Sequence, residues 1–111
     1  MMYSQVEERA GETGYYMEEE TLVVELGKEL DHHNAVNIRE KVDDTIIKGG
    51  VKRIIFDFTG TSFMDSSGIG VIMGRQKIMD SIGGKVFVRN MNREIERIFL
   101  ISGLHKLVEK E

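Results

Sequence analysis

Residues 53–84 read RIIFDFTGTSFMDSSGIGVIMGRQKIMDSIGG, and the period of the apolar side chains changes within them. Arg53 to Phe58 carries Ile54, Ile55, Phe56 and Phe58, a short β-branched and aromatic run suited to a strand buried on both faces. From about Ser67 to Ile82 the spacing becomes helical, with Ile69, Ile72 and Met79 on one side, and Gly83-Gly84 supplies a left-handed stop. A buried strand feeding a helix through a polar loop is half of a parallel crossover. The stretch therefore predicts an α/β fold with this strand at the centre of the sheet.

The flanks extend the pattern. Upstream, Ala35, Ile38, Val42 and Ile46 recur every three to four positions from Asn34 to Lys48, ahead of Gly49-Gly50, which marks a first helix. Before it, Leu22, Val24 and Leu26 share one face of a strand, and Tyr15, Tyr16 and Met17 form a shorter strand across the Glu18 to Glu20 turn, giving an antiparallel start. Downstream, Lys85 to Arg89 is a strand around Val86, Phe87 and Val88. Asn92 caps a third helix striped by Ile95, Ile98 and Phe99 that ends near Ser102-Gly103, and Leu104 to Val108 closes the structure as an edge element. The expectation is one α/β domain over residues 15–111: an open mixed sheet of four to five strands with right-handed crossovers and helices packed mainly on one face.

A chain of 111 residues, 41% hydrophobic and 31% charged, has room for one such domain, with a radius of gyration of about 13 Å. The absence of cysteine excludes a disulfide framework, a zinc ribbon and a thiol nucleophile. No stretch approaches the ~18 apolar residues of a membrane helix and the amino terminus lacks the regions of a secretory signal, so the chain reads as soluble, compatible with a cytoplasmic setting and with no membrane partner. Net charge is −4, and the first 20 residues set Arg9 against Glu7, Glu8, Glu12, Glu18, Glu19 and Glu20. The rest holds 14 bases and 13 acids and forms no basic face, which argues against nucleic acid as a partner. Residues 1–14 read as an acidic mobile tail that the fold does not need.

In an open α/β sheet, function gathers beyond the carboxyl ends of the parallel strands. Three segments meet that description: Gly27 to Asn34, Thr59 to Ser67 and Asn90 to Asn92. The second places Asp65, Ser66 and Ser67 at a helix start. The ordinary explanation is a cap, in which a carboxylate or hydroxyl satisfies free backbone N–H groups. Gly68, Gly70 and Gly74 exceed that explanation, since each glycine inside a helix costs about 1 kcal/mol relative to alanine. They imply close approach, either by the sheet beneath or by an outside partner.

Enzymatic motifs are missing. The glycines are spaced G-x-G-x-x-x-G, one residue too long for a dinucleotide fingerprint, and no GK[ST] follows. Neither Ser66 nor Ser67 sits in G-x-S-x-G, and no base is placed by motif for a serine nucleophile. His32-His33 beside Asp31 lacks the other members of a metal-ligand set. The seven methionines fill core and tail. No metal or other cofactor is expected.

Leu30-Asp31-His32-His33-Asn34-Ala35 together with the run from Phe63-Met64-Asp65-Ser66-Ser67-Gly68-Ile69-Gly70 to Arg75 resembles the STAS domain of bacterial anti-sigma factor antagonists, the sporulation antagonists of sigma-F most of all. The likeness spans about Tyr15 to Val108 and takes in Arg97-Ile98-Phe99 and Ser102-Gly103-Leu104. It implies a switch that is not an enzyme. The unphosphorylated form binds an anti-sigma factor that is also a serine kinase, using the kinase's own nucleotide. The sigma factor is released and the kinase then phosphorylates the serine after the motif aspartate, here Ser66; a serine phosphatase resets the switch. Asp31, His32, Thr61, Met64, Asp65, Ser67, Gly68 and Ile69 are the acceptor-site and partner-binding residues that the resemblance implies. Similar proteins carry glycine, then Glu or Asp, then Leu-Asp after the second strand. This chain reads Gly27-Lys28-Glu29-Leu30-Asp31, with Lys28 where glycine is usual. The tail before Tyr15 is a second departure.

The chemistry agrees with such a switch. A phosphate on Ser66 would be met by free N–H groups and the positive end of the helix dipole, so the fold tolerates it. Its added charge of about −1.5 to −2 beside Asp65 and near Asp31 would repel a docked partner. A mismatch of about 3 kcal/mol lowers affinity roughly a hundredfold. A rival reading is a STAS-like scaffold or ligand-binding module, in a signalling or lipid-transport complex, with no phosphoacceptor.

Overall fold

The central strand has neighbours on both sides. A computed structural model describes residues 12–111, and residues 1–11, with most of the expected tail, lie outside the described residues. The first strand β1 (Gly14–Glu18) runs antiparallel to β2 (Thr21–Glu25) across the Glu19-Glu20 turn, and it starts one residue before the expected boundary, with Gly14 paired to Glu25. After β2 come a two-residue strand β3 (Glu29–Leu30) and helix α1 (His32–Lys48). Next are β4 (Arg53–Asp57), a second two-residue strand β5 (Phe63–Met64) and helix α2 (Ser66–Ser81). Strand β6 (Lys85–Arg89), helix α3 (Arg93–Ile101), a 3-10 turn over Leu104–Lys106 and β7 (Glu109–Lys110) complete the chain.

The main sheet has the order β1-β2-β4-β6-β7; β2, β4, β6 and β7 are parallel and β4 lies in the middle. This is the mixed sheet that the apolar pattern predicts. The edge element expected over Leu104 to Val108 is instead a 3-10 turn over Leu104–Lys106, and the edge strand follows just beyond it at Glu109–Lys110.

Period-two alternation decides which side chains meet the helices. Leu22, Val24, Ile54, Phe56, Val86 and Val88 form one buried cluster with Ala35, Ile38 and Val42 of α1, Ile72 and Met79 of α2, and Ile95 and Phe99 of α3. All three helices therefore bury their apolar stripes against the same face. On the other face lie Tyr16, Val23, Ile55 and Phe87 in one cross-strand row. The Tyr16 side chain reaches Arg89 over that row, and Val23 is fully buried. The radius of gyration is 12.8 Å.

Both glycine pairs follow their helices as expected, with Gly49 at φ 95° and Gly83 at φ 80°. Each helix start is set by a side-chain cap. Asp31 caps α1, which opens two residues earlier than the apolar spacing suggests, and Asp65 caps α2. Asn92 caps α3, as its position predicts, by accepting the Ile95 N–H at 2.8 Å.

Candidate functional site

Three loops leave the carboxyl ends of β2, β4 and β6 and are stitched together there. Glu29 and Leu30 pair in parallel with Phe63 and Met64 in a second small sheet, which brings the loop after β2 alongside the loop after β4. The Ser62 N–H donates to the Lys28 carbonyl at 2.8 Å, and the buried Thr61 hydroxyl donates to the Gly27 carbonyl at 2.8 Å. Asn92 Nδ2 donates to the Thr61 carbonyl at 3.1 Å and ties in the loop after β6. Lys28 itself is exposed and outside the left-handed region, so this turn has no need of the glycine usual there.

Asp65 joins the two helix starts. Its Oδ1 accepts the N–H groups of Ser67 at 2.9 Å and Gly68 at 3.2 Å, while Oδ2 accepts the His32 N–H of α1 at 3.2 Å. Asp31 acts locally, with its Oδ1 accepting the Asn34 N–H at 3.1 Å. Ser67 Oγ stands 3.4 Å from His32 Nδ1. Ser66, the first residue of α2, is exposed beside this joint.

The occupied N–H groups revise one expectation. Two of the donors that would receive a phosphate at this helix start are already taken by Asp65. A phosphate on Ser66 would keep the favourable helix dipole, yet it would stand beside a carboxylate instead of being drawn into the backbone.

The remaining expected residues divide by depth. Thr61, Met64 and Gly68 are buried and build the site from beneath, Ile69 is half-buried against the core, and His32 is exposed. A Cβ on Gly68 would stand 2.5 Å from the Leu30 carbonyl oxygen, so packing inside the fold accounts for this glycine. Gly70 and Gly74 differ, because a Cβ on either would meet nothing within 4 Å. Internal packing does not explain them.

A second polar cluster anchors the loop from beneath. Burial pushes the Asp57 carboxyl up, but hydrogen bonds from Thr59, Asn90 and Arg89 outweigh this and hold it below the usual carboxylate range. Sequence reasoning missed this cluster, whose members come from β4 and from the end of β6. Among the described residues no group of three His, Asp or Glu side chains is arranged to hold a metal, and no helix is long and apolar enough to cross a membrane.

Comparison with known proteins adds a family to this geometry. The family described as the STAS domain matches residues 15–110. The anti-sigma F factor antagonist of Lysinibacillus sphaericus is 40% identical over 85 residues, which cover 77% of this chain and 73% of that protein. The structure of the anti-sigma factor antagonist SpoIIAA in its unphosphorylated form is similar with a TM-score of 0.81 and 35% identity, covering 89% of this chain and 87% of that one. The structure of the Bacillus cell fate determinant SpoIIAA in the phosphorylated form is similar with a TM-score of 0.73 and 35% identity, covering 89% and 90%.

Proposed function

This chain belongs to the STAS domain family, and from that premise we propose that it is an anti-sigma factor antagonist switched by phosphorylation of Ser66. The unphosphorylated form binds an anti-sigma factor that is a serine kinase carrying its own nucleotide. Binding frees the sigma factor. Transfer of the phosphoryl group to Ser66 ends the interaction, and a serine phosphatase restores it. The chain itself performs no catalysis on this reading and acts in the cytoplasm.

The observation that carries the proposal is the exposed hydroxyl of Ser66 next to the carboxylate that ties α1 to α2. Relatives named as anti-sigma factor antagonists, and a similar structure in a phosphorylated form, support it. Exposure lets a kinase reach the hydroxyl without unfolding the helix. Asp65 keeps the backbone donors occupied, so the added charge of about −1.5 to −2 stays at the surface that a partner would cover. In this reading Asp31, His32, Ser67 and Ile69 surround the acceptor, while Thr61, Met64 and Gly68 hold its backbone in place.

Incubation of the chain with a kinase-type anti-sigma factor and ATP, followed by phosphopeptide mapping, tests the assignment. One phosphate on Ser66, absent from Ser66→Ala, is expected. A phosphate on Ser67, or normal labelling of Ser66→Ala, would overturn it.

A further inference from the structure

Arg75 of α2 is only 6% exposed and poorly satisfied. Its Nε forms an ion pair with Asp43 Oδ1 of α1 at 3.0 Å, but out of hydrogen-bonding alignment, and among the described residues Nε, Nη1 and that oxygen are buried without a hydrogen-bond partner. The Asp43 carboxylate offsets the Arg75 charge, but the poor alignment leaves buried donors of the guanidinium unsatisfied, which is unfavourable. Arg39 lies close enough to Arg75 to oppose its charge.

Both arginines line a cleft of about 390 Å³ between α1 and α2. Among the described residues its wall contains no acidic side chain and is otherwise built of His32, Ala35, Val36, Ser67, Gly70 and Val71. Gly70 adds space, since a Cβ there would meet nothing within 4 Å. The cleft thus offers positive charge next to an apolar wall.

We infer that this cleft binds a ligand carrying an oxyanion on an apolar stem, with the oxyanion against Arg39 and Arg75 and the stem along Val36, Val71 and Gly70. The oxyanion chemistry is shared by a small carboxylate and by a glutamate side chain of a bound protein. A bare phosphate has the charge without the stem. The cleft shares His32 and Ser67 with the surroundings of the Ser66 hydroxyl, while Ser66 itself is not part of its lining.

The test is a titration of the full ¹⁵N-labelled chain with hexanoate, N-acetylglutamate N-methylamide and inorganic phosphate, followed by NMR at the Nε–H signals of Arg39 and Arg75 and the N–H of Gly70. Saturable shifts at these three signals are expected with hexanoate or the glutamate derivative at lower concentration than with phosphate. Tighter binding of hexanoate assigns the site to a small molecule, and tighter binding of the glutamate derivative assigns it to a protein side chain. Arg39→Gln, an exposed substitution that leaves Arg75 in place, should weaken binding about fivefold. Three results would overturn the inference: no shift with either stemmed ligand, shifts confined to the amides of Ser66 to Gly68, or equal affinity in Arg39→Gln.

Discussion

The Asp65 carboxylate accepts the backbone N–H of His32 at 3.2 Å, across 33 positions of sequence. Through its other oxygen it also caps the helix that begins with Ser66, so one side chain fixes the relative position of two helix starts. Among the described residues the Asp31 carboxylate caps its own helix, at Asn34.

The two aspartates should therefore differ in weight. Asp65→Ala is expected to destabilise the fold by about 2 kcal/mol, the upper end for a lost cap, because the link to α1 goes with it. Asp31→Ala should cost about 1 kcal/mol. Urea unfolding of the two variants measures the difference, and an equal cost would mean that the link to His32 contributes nothing.

Glycines of α2 should respond in opposite directions. Gly68→Ala places a Cβ 2.5 Å from the Leu30 carbonyl oxygen, which belongs to the backbone and cannot move aside, so a loss of about 2 kcal/mol is expected. Gly70→Ala faces open space and should stabilise the helix by about 0.5–1 kcal/mol. Thermal melts read both signs. If Gly70→Ala also weakens partner binding, the missing side chain serves an outside contact.

Asp57 gives a pH dependence with a defined sign. Its hydrogen bonds hold the folded-state pKa below the unfolded value, so its contribution is complete above a pH of about 4 and is lost as the pH falls through the folded value. Asp57→Asn should lower stability at pH 7 and flatten the stability profile below a pH of about 4. A profile as steep as that of the unaltered chain would place the acid sensitivity on other groups.

Lys28 offers a simpler comparison. It is exposed and its backbone is not left-handed, so Lys28→Gly should leave the loop intact and lower stability by no more than about 0.5 kcal/mol. Any change beyond that should appear in partner affinity, measured against the unaltered chain. A larger loss in the melting temperature would show that the lysine side chain supports the turn.

Much of this architecture was legible because it repeats a local rule. The Ile54 to Phe58 run announced the central strand, and the glycines at 49 and 83 marked helix ends that the structure keeps in positive φ. Asn92 was readable as a cap for the same reason. The small sheet of Glu29-Leu30 with Phe63-Met64 was not, since two residues carry no period. Asp57 with Arg89 and Asn90, and Arg75 with Asp43, were invisible for another reason. Each pair is made by topology, between positions more than 30 apart, and no local pattern encodes it. At the candidate site the motif from Phe63 to Gly70 marks a loop that the structure joins to the one after β2, while the capture of the Ser67 and Gly68 N–H groups by Asp65 follows from the fold and not from the local sequence.

Titration calorimetry of a kinase-type anti-sigma factor into the unmodified chain, and into the chain carrying phosphoserine at position 66, tests the switch most directly. The account predicts an affinity about a hundredfold lower for the phosphorylated chain, equivalent to about 3 kcal/mol, with the fold retained. Equal affinity of the two forms would contradict it.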